Sequence, residues 1–164
     1  MVTRLHPVTT DFLSAAPVRL VCEARLRSAP EAVYRELADD ASTWPLWFRE
    51  VRSAAYVGQP PYGAGAGRSV VLRGGVRFVE SVIVAEPSQR FVYRVEETRL
   101  PGVHAWMEEW LLRPAEDGGT LLRFTMAVDG DWALCTLMRL SGPAVVRSLR
   151  RAAGRLDARC TATG

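Results

Sequence analysis

Residues 142–160, GPAVVRSLRRAAGRLDARC, carry the pattern on which the fold turns. Val145, Leu149, Ala152, Leu156 and Cys160 recur at three- or four-residue intervals, which places them on one face of an α-helix. Residues 132–140 repeat the helical period upstream, and Gly142-Pro143 interrupts it, with Pro143 suited to the first turn of the longer segment. The chain is thus predicted to end in a long helix whose apolar stripe requires a partner surface.

The residues before it supply that surface. Residues 51–57, 68–73, 76–85, a run centred on Phe91, Tyr93 and Val95, 105–113 and 121–128 read as six strands. Gly74-Gly75, Glu86-Pro87-Ser88 and Asp117-Gly118-Gly119 are turns between them. A seventh strand comes earlier, at 18–27, where Val18, Leu20, Cys22, Ala24 and Leu26 alternate with mostly charged residues. Between it and the others, Ser28-Ala29-Pro30-Glu31 announces a short helix ending near Asp39, with Ser28 as candidate N-cap. Trp44-Pro45-Leu46-Trp47-Phe48 reads as a second helical turn pressed on the core.

The expected fold class is α+β: a seven-stranded curved antiparallel sheet gripping the C-terminal helix, with two short helices between the first two strands. A helix laid across a twisted sheet touches it mainly at the ends and leaves a hollow. Residues 17–160 are read as a single ligand-binding domain, and residues 1–16, which show no sustained period, as a loose leader.

At 164 residues, 48% hydrophobic and 24% charged, the chain has the composition of a globular protein. It contains no lysine, and its net charge of +3 comes from arginines interleaved with 18 acidic residues, which argues against a nucleic-acid partner. No apolar run is long enough for an integral membrane segment and no signal peptide is evident, so the expected location is cytoplasmic. Cys22, Cys135 and Cys160 form neither a disulfide framework nor a zinc motif. His104 has no histidine near it in sequence, His6 being distant, so no metal and no cofactor are expected. A homodimer is compatible with the sequence. The glycine run at 62–67 lacks the lysine of a P-loop and is read as a loop at a cavity mouth, and Arg147, Arg151, Arg155 and Arg159 as a solvated helix face.

The order of elements and several segments resemble the SRPBCC superfamily, the helix-grip fold of the major birch pollen allergen, START lipid-transfer domains and bacterial polyketide cyclase-like proteins. The resemblance covers about residues 17–159. It rests on Arg27-Ser28-Ala29-Pro30-Glu31-Ala32-Val33-Tyr34, on Trp44-Pro45-Leu46-Trp47-Phe48, and on Gly67-Arg68 with Glu80. Glu86-Pro87 before Phe91-Val92-Tyr93-Arg94 and Gly118-Gly119-Thr120 before the last strand complete it. It implies a cavity for a hydrophobic molecule, in a superfamily whose members include carriers, aromatases and cyclases.

Register decides which side chains reach that cavity. A three-residue turn at Arg73-Gly74-Gly75 sets Val70 against Phe78 and Arg68 against Glu80, whereas a two-residue turn sends Arg68 outward; the first groups more apolar residues on one face. Pairing Val84 with Phe91 brings Val82 beside Tyr93 and Glu80 beside Val95. In the sixth strand, either Trp106, Glu108 and Trp110 face inward or Met107, Glu109 and Leu111 do. The candidate ligand-binding residues are therefore Arg68, Phe78, Glu80, Val82, Tyr93 and Trp106, with Glu108, Trp110, Phe124, Met126 and Leu149. Glu80 and Glu108 are the candidate catalytic acids, since carboxyls in an apolar hollow acquire raised pKa values. Three functions stay open: a carrier or binder of an aromatic, polyketide or lipid-like molecule, a cyclase, aromatase or dehydratase, and a ligand-free regulatory module.

Overall fold

A computed structural model describes residues 2–163. Strands β1 (Thr3–Arg4), β2 (Val18–Leu26), β3 (Val51–Tyr56), β4 (Gly67–Leu72), β5 (Arg77–Glu86), β6 (Arg90–Thr98), β7 (Val103–Pro114) and β8 (Thr120–Gly130) form one antiparallel sheet. Its order is β2-β8-β7-β6-β5-β4-β3, with β1 paired to β6. Helix α1 (Phe12–Ala15) precedes β2, α2 (Pro30–Ala38) and α3 (Trp44–Trp47) lie between β2 and β3, and α4 (Trp132–Thr163) closes the chain. This is the helix-grip arrangement expected from the alternation of residues.

Register shifts at Val51/Ser53, Val79/Glu80, Val82/Val84 and Val103/Ala105 bend the sheet, because each places an unequal number of residues on neighbouring strands. The bent inner face carries the main core, which extends from Val18, Cys22 and Leu26 across Tyr93, Trp110 and Phe124 to Leu149, Ala152 and Leu156 of α4.

Helix α4 departs from expectation in passing through Pro143 without a break. Proline removes the N–H that would bond the Arg139 carbonyl. The inward stripe keeps its phase regardless, since Cys135, Met138, Gly142, Val145 and Leu149 all turn toward the sheet and its core. Gly142 presses on β2 so closely that a Cβ there would sit 3.0 Å from Leu20 Cδ2.

Ser28 also differs. Helix α2 starts with Pro30 in its first turn after Ala29, and Ser28 provides no cap. Its hydroxyl donates instead to Asp157 Oδ1 of α4 at 2.7 Å, and the same oxygen accepts the N–H groups of Ser28 at 2.9 Å and Arg27 at 3.0 Å. Accepting those bonds holds the Asp157 carboxyl below its usual range, although burial pushes the other way.

The leader expected to be loose is packed. Leu5 is 4% exposed, its N–H bonds the Glu96 carbonyl, and Leu13 and Ala16 cover Val92, Met107 and Ala127 on the outer face of β6, β7 and β8. A two-residue strand and a single helical turn are too short to show a period, which is why the sequence concealed them.

Candidate functional site

Between the inner face of the sheet and α4 lies a cavity of about 240 Å³. Strands β4 and β5 contribute Val70, Leu72, Phe78 and Glu80, and strands β6, β7 and β8 contribute Tyr93, Trp106, Glu108 and Met126. Trp44, Phe48, Glu50 and Val51 come from α3, the turn after it and the start of β3, and Met138, Val145, Ser148 and Leu149 from α4. Seven expected ligand contacts thus line the space: Phe78, Glu80, Tyr93, Trp106, Glu108, Met126 and Leu149. The other four, Arg68, Val82, Trp110 and Phe124, are buried in the wall around it. A broader depression of about 440 Å³ lies on the outer face among exposed charged residues such as Glu23, Arg25, Arg113 and Arg123. It brings together none of the expected site residues.

The three-residue turn sets the first part of the site. Gly74 and Gly75 adopt φ of +100° and +89°, a region side chains disfavour, and Arg68 then faces Glu80 while Val70 faces Phe78. Arg68 Nε and Nη2 lie 2.8 and 2.7 Å from Glu80 Oε2, and both residues are nearly inaccessible. The guanidinium sits 4.2 Å from the ring centroids of both Trp44 and Tyr93, so rings as well as the carboxylate compensate its charge. Arg68 Nη1 has no hydrogen-bond partner among the described residues. Burial pushes the Glu80 carboxyl upward, and Arg68 pulls against that.

Glu108 forms the second part. Strand β7 presents Trp106, Glu108 and Trp110 inward, while Met107 is buried on the opposite face beneath the leader. Tyr93 Oη donates to Glu108 Oε2 at 2.5 Å, Trp106 Nε1 donates to Oε1 at 2.8 Å, and Trp110 Nε1 donates to Tyr93 Oη at 3.1 Å. Burial, helped by the nearby Glu80 charge, raises the Glu108 carboxyl to about 7, while the Tyr93 and Trp106 bonds and Arg68 oppose the rise. Tyr93 is itself pushed well up, chiefly by burial and then by Glu108. The arrangement offers a proton acceptor poised near neutrality in an apolar chamber.

Three further expectations are corrected. The glycine loop does not line the cavity, because Gly65 N–H bonds Val82 O at 2.8 Å and Val82 N–H bonds Ala66 O at 2.9 Å, docking it on β5. The arginine stripe is only partly solvated: Arg155 donates to the Trp47 carbonyl at 2.9 Å and Arg159 to Glu36 at 2.7 Å. His6 and His104 stack with centroids 6.0 Å apart once β1 joins β6, though no cluster of three or more His, Cys, Asp or Glu able to hold a metal occurs among the described residues. Three lining residues were not named in the sequence reading, Glu50, Met138 and Ser148. Ser148 Oγ donates to Glu50, joining α4 to the start of β3, a contact that no local pattern announces.

The profile of the family described as polyketide cyclase/dehydrase and lipid transport matches residues 19–161. The chain belongs to that family. An uncharacterised protein of Mycobacterium tuberculosis is 31% identical over 137 residues, covering 84% of this chain and 75% of the relative. A Thermus thermophilus protein of known structure superposes with a TM-score of 0.70 at 20% identity, over 90% of this chain and 99% of that one. A START superfamily protein from Mycobacterium smegmatis gives a TM-score of 0.67 at 13% identity, over 89% and 99% of the two chains. The family and the shared fold make the chain a member of the SRPBCC superfamily. Among the described residues no helix is long and apolar enough to cross a membrane.

Proposed function

We propose that the protein binds a hydrophobic small molecule in the cavity between its sheet and α4. The observation that carries this reading is the lining itself: a chamber of about 240 Å³ walled by Val70, Phe78, Trp106, Met126 and Leu149, with polar groups confined to a few defined points. An apolar guest gains the free energy of leaving water there, and Tyr93, Trp106 and Glu108 orient it. The unfilled volume also disfavours the ligand-free module. The cytoplasm is the proposed setting, which the reduced thiols of Cys22 and Cys135 suit.

Native mass spectrometry of protein purified from its own cells tests the reading. A reproducible adduct lost on denaturation is the expected result. Absence of an adduct, together with no saturable change in tryptophan fluorescence on titration with small neutral aromatics, overturns it.

One observation supports a second reading, catalysis by a cyclase, aromatase or dehydratase: Glu108, with its carboxyl near 7 and Tyr93 on one oxygen, can take and return a proton at neutral pH. Loss of turnover in Glu108→Gln, measured on any substrate that the mass spectrum reveals, distinguishes it from simple carriage.

A further inference from the structure

We propose that the cavity takes a ligand whose polar end donates hydrogen bonds, above all a protonated amine on an aromatic or aliphatic body, and that it refuses carboxylates. This deepens the binding function proposed above and rests on it.

The case comes from counting donors and acceptors that face the space. Among its lining residues there is no arginine, lysine or histidine. Every lining side-chain donor is already engaged: Trp44 Nε1 with the Leu37 carbonyl at 3.1 Å, Trp106 Nε1 and Tyr93 Oη with Glu108, and Ser148 Oγ with Glu50. Arg68 is not among the lining residues: its guanidinium lies 4.2 Å from the ring centroids of Trp44 and Tyr93, its contacts with Glu80 both fall on Oε2, and its Nη1, without a hydrogen-bond partner among the described residues, is fully buried and out of reach of the cavity.

Acceptor capacity, in contrast, is left over. A carboxylate offers about four lone-pair sites, and Glu108 uses one on each oxygen. Glu80 is 4% exposed, lines the cavity, and its Oε1 receives no hydrogen bond among the described residues. Glu50 adds a third carboxylate at the exposed rim. A carboxylate guest would bring a fourth negative group with no free donor among the lining residues to meet it, which is costly away from water. An ammonium group would supply the missing donors, and the aromatic rings of Phe48 and Trp106 in the lining would favour a cation that meets a π face. At about 240 Å³, room for roughly eight waters of about 30 Å³ each, the body is a one- or two-ring molecule, not a long acyl chain.

The groups around Glu108 define the pH response. Tyr93 faces it from β6, Glu80 from β5 and Arg68 from β4, while β8 and α4 offer the uncharged Met126 and Leu149. Protonating Glu108 removes the charge that an ammonium group would meet.

The experiment titrates the full chain with 3-phenylpropylamine, 3-phenylpropionate and butylbenzene, followed by calorimetry and tryptophan fluorescence at pH 8 and pH 5.5. At pH 8 the amine is expected to bind on the order of 100-fold more tightly than the propionate, with butylbenzene between them. At pH 5.5 the amine loses about 30-fold, as protonation of Glu108 near 7 implies. In Glu108→Gln the ratio of amine to butylbenzene affinity falls to its pH 5.5 value and ceases to depend on pH. Butylbenzene binding with amine and propionate equal at pH 8 overturns this inference alone. Failure of all three to bind overturns this inference, and together with the absence of an adduct in the native mass spectrum it overturns the binding function as well.

Discussion

Glu108→Gln yields the most discriminating prediction for stability. In an unfolded chain the Glu108 carboxyl loses its proton near 4.5; in the folded protein it does so at about 7, principally because the ionised form is desolvated. Between those values the folded state holds the proton and the unfolded state does not, so folding stability falls as pH rises through that window. The contribution is fully present below about 4.5 and is lost by the time the pH passes about 7. At about 1.4 kcal/mol per unit, the interval from 4.5 to about 7 corresponds to roughly 3.5 kcal/mol. Glutamine does not titrate and cannot follow this curve. Urea denaturation monitored by tryptophan fluorescence at pH 5, 6, 7 and 8 should therefore show Glu108→Gln gaining on the wild type by roughly 2.5 kcal/mol across the series, most of it below pH 7. The absolute offset at pH 5 reports how well the amide replaces the carboxyl as partner for Tyr93 and Trp106, and is separate from the slope. Parallel profiles for the two proteins would refute the account of Glu108.

Other perturbations test the remaining parts. Glu80→Gln leaves the Arg68 guanidinium buried beside a neutral group and is expected to cost about 3–5 kcal/mol in chemical denaturation, whereas Arg68→Met combined with Glu80→Leu should return close to wild-type stability. Equal losses in the single and double variants would show that the pair is not what Glu80 supplies. Asp157→Ala removes the acceptor shared by Ser28 and Arg27 and should cost about 2–3 kcal/mol by thermal or urea melting, with hydrogen exchange accelerated first at the contact between α4 and the start of α2. Val145→Trp, placed on the half-buried cavity wall of α4, should abolish butylbenzene binding while costing about 1–3 kcal/mol; undiminished affinity in calorimetry would move the binding site elsewhere.

Much of the inner face was legible because alternation and turn chemistry agree there. The glycine pair at 74–75, with Val70 and Phe78 as apolar anchors, led to the Arg68–Glu80 apposition that the structure shows. Val82 opposite Tyr93 and Glu80 opposite Val95 were likewise found, but Val84 pairs with Val92 and not with Phe91, since a bulge intervenes between Val82 and Val84. Such a bulge inserts one residue without altering the composition of either strand, so nothing local reveals it. The two phases of β7 were ambiguous for a different reason. Trp106 and Met107 are both buried, on opposite faces, because the leader covers the second face. Contacts far apart in sequence, Ser28 with Asp157 and Glu50 with Ser148, depend on how α4 is seated and have no signature in a single segment.

That second covering has a mechanical consequence. The panel formed by β6, β7 and β8 is held from both sides, by α4 and the core within and by Leu13 and Ala16 without, so it has little freedom to yield. Among the described residues, strands β3 and β4 have no comparable backing on the outer face, where Ser69 and Val71 remain half-exposed. A guest too bulky for the resting chamber would consequently be accommodated by outward give of that hairpin and of α3, and the Glu50–Ser148 tie would be the first bond to part.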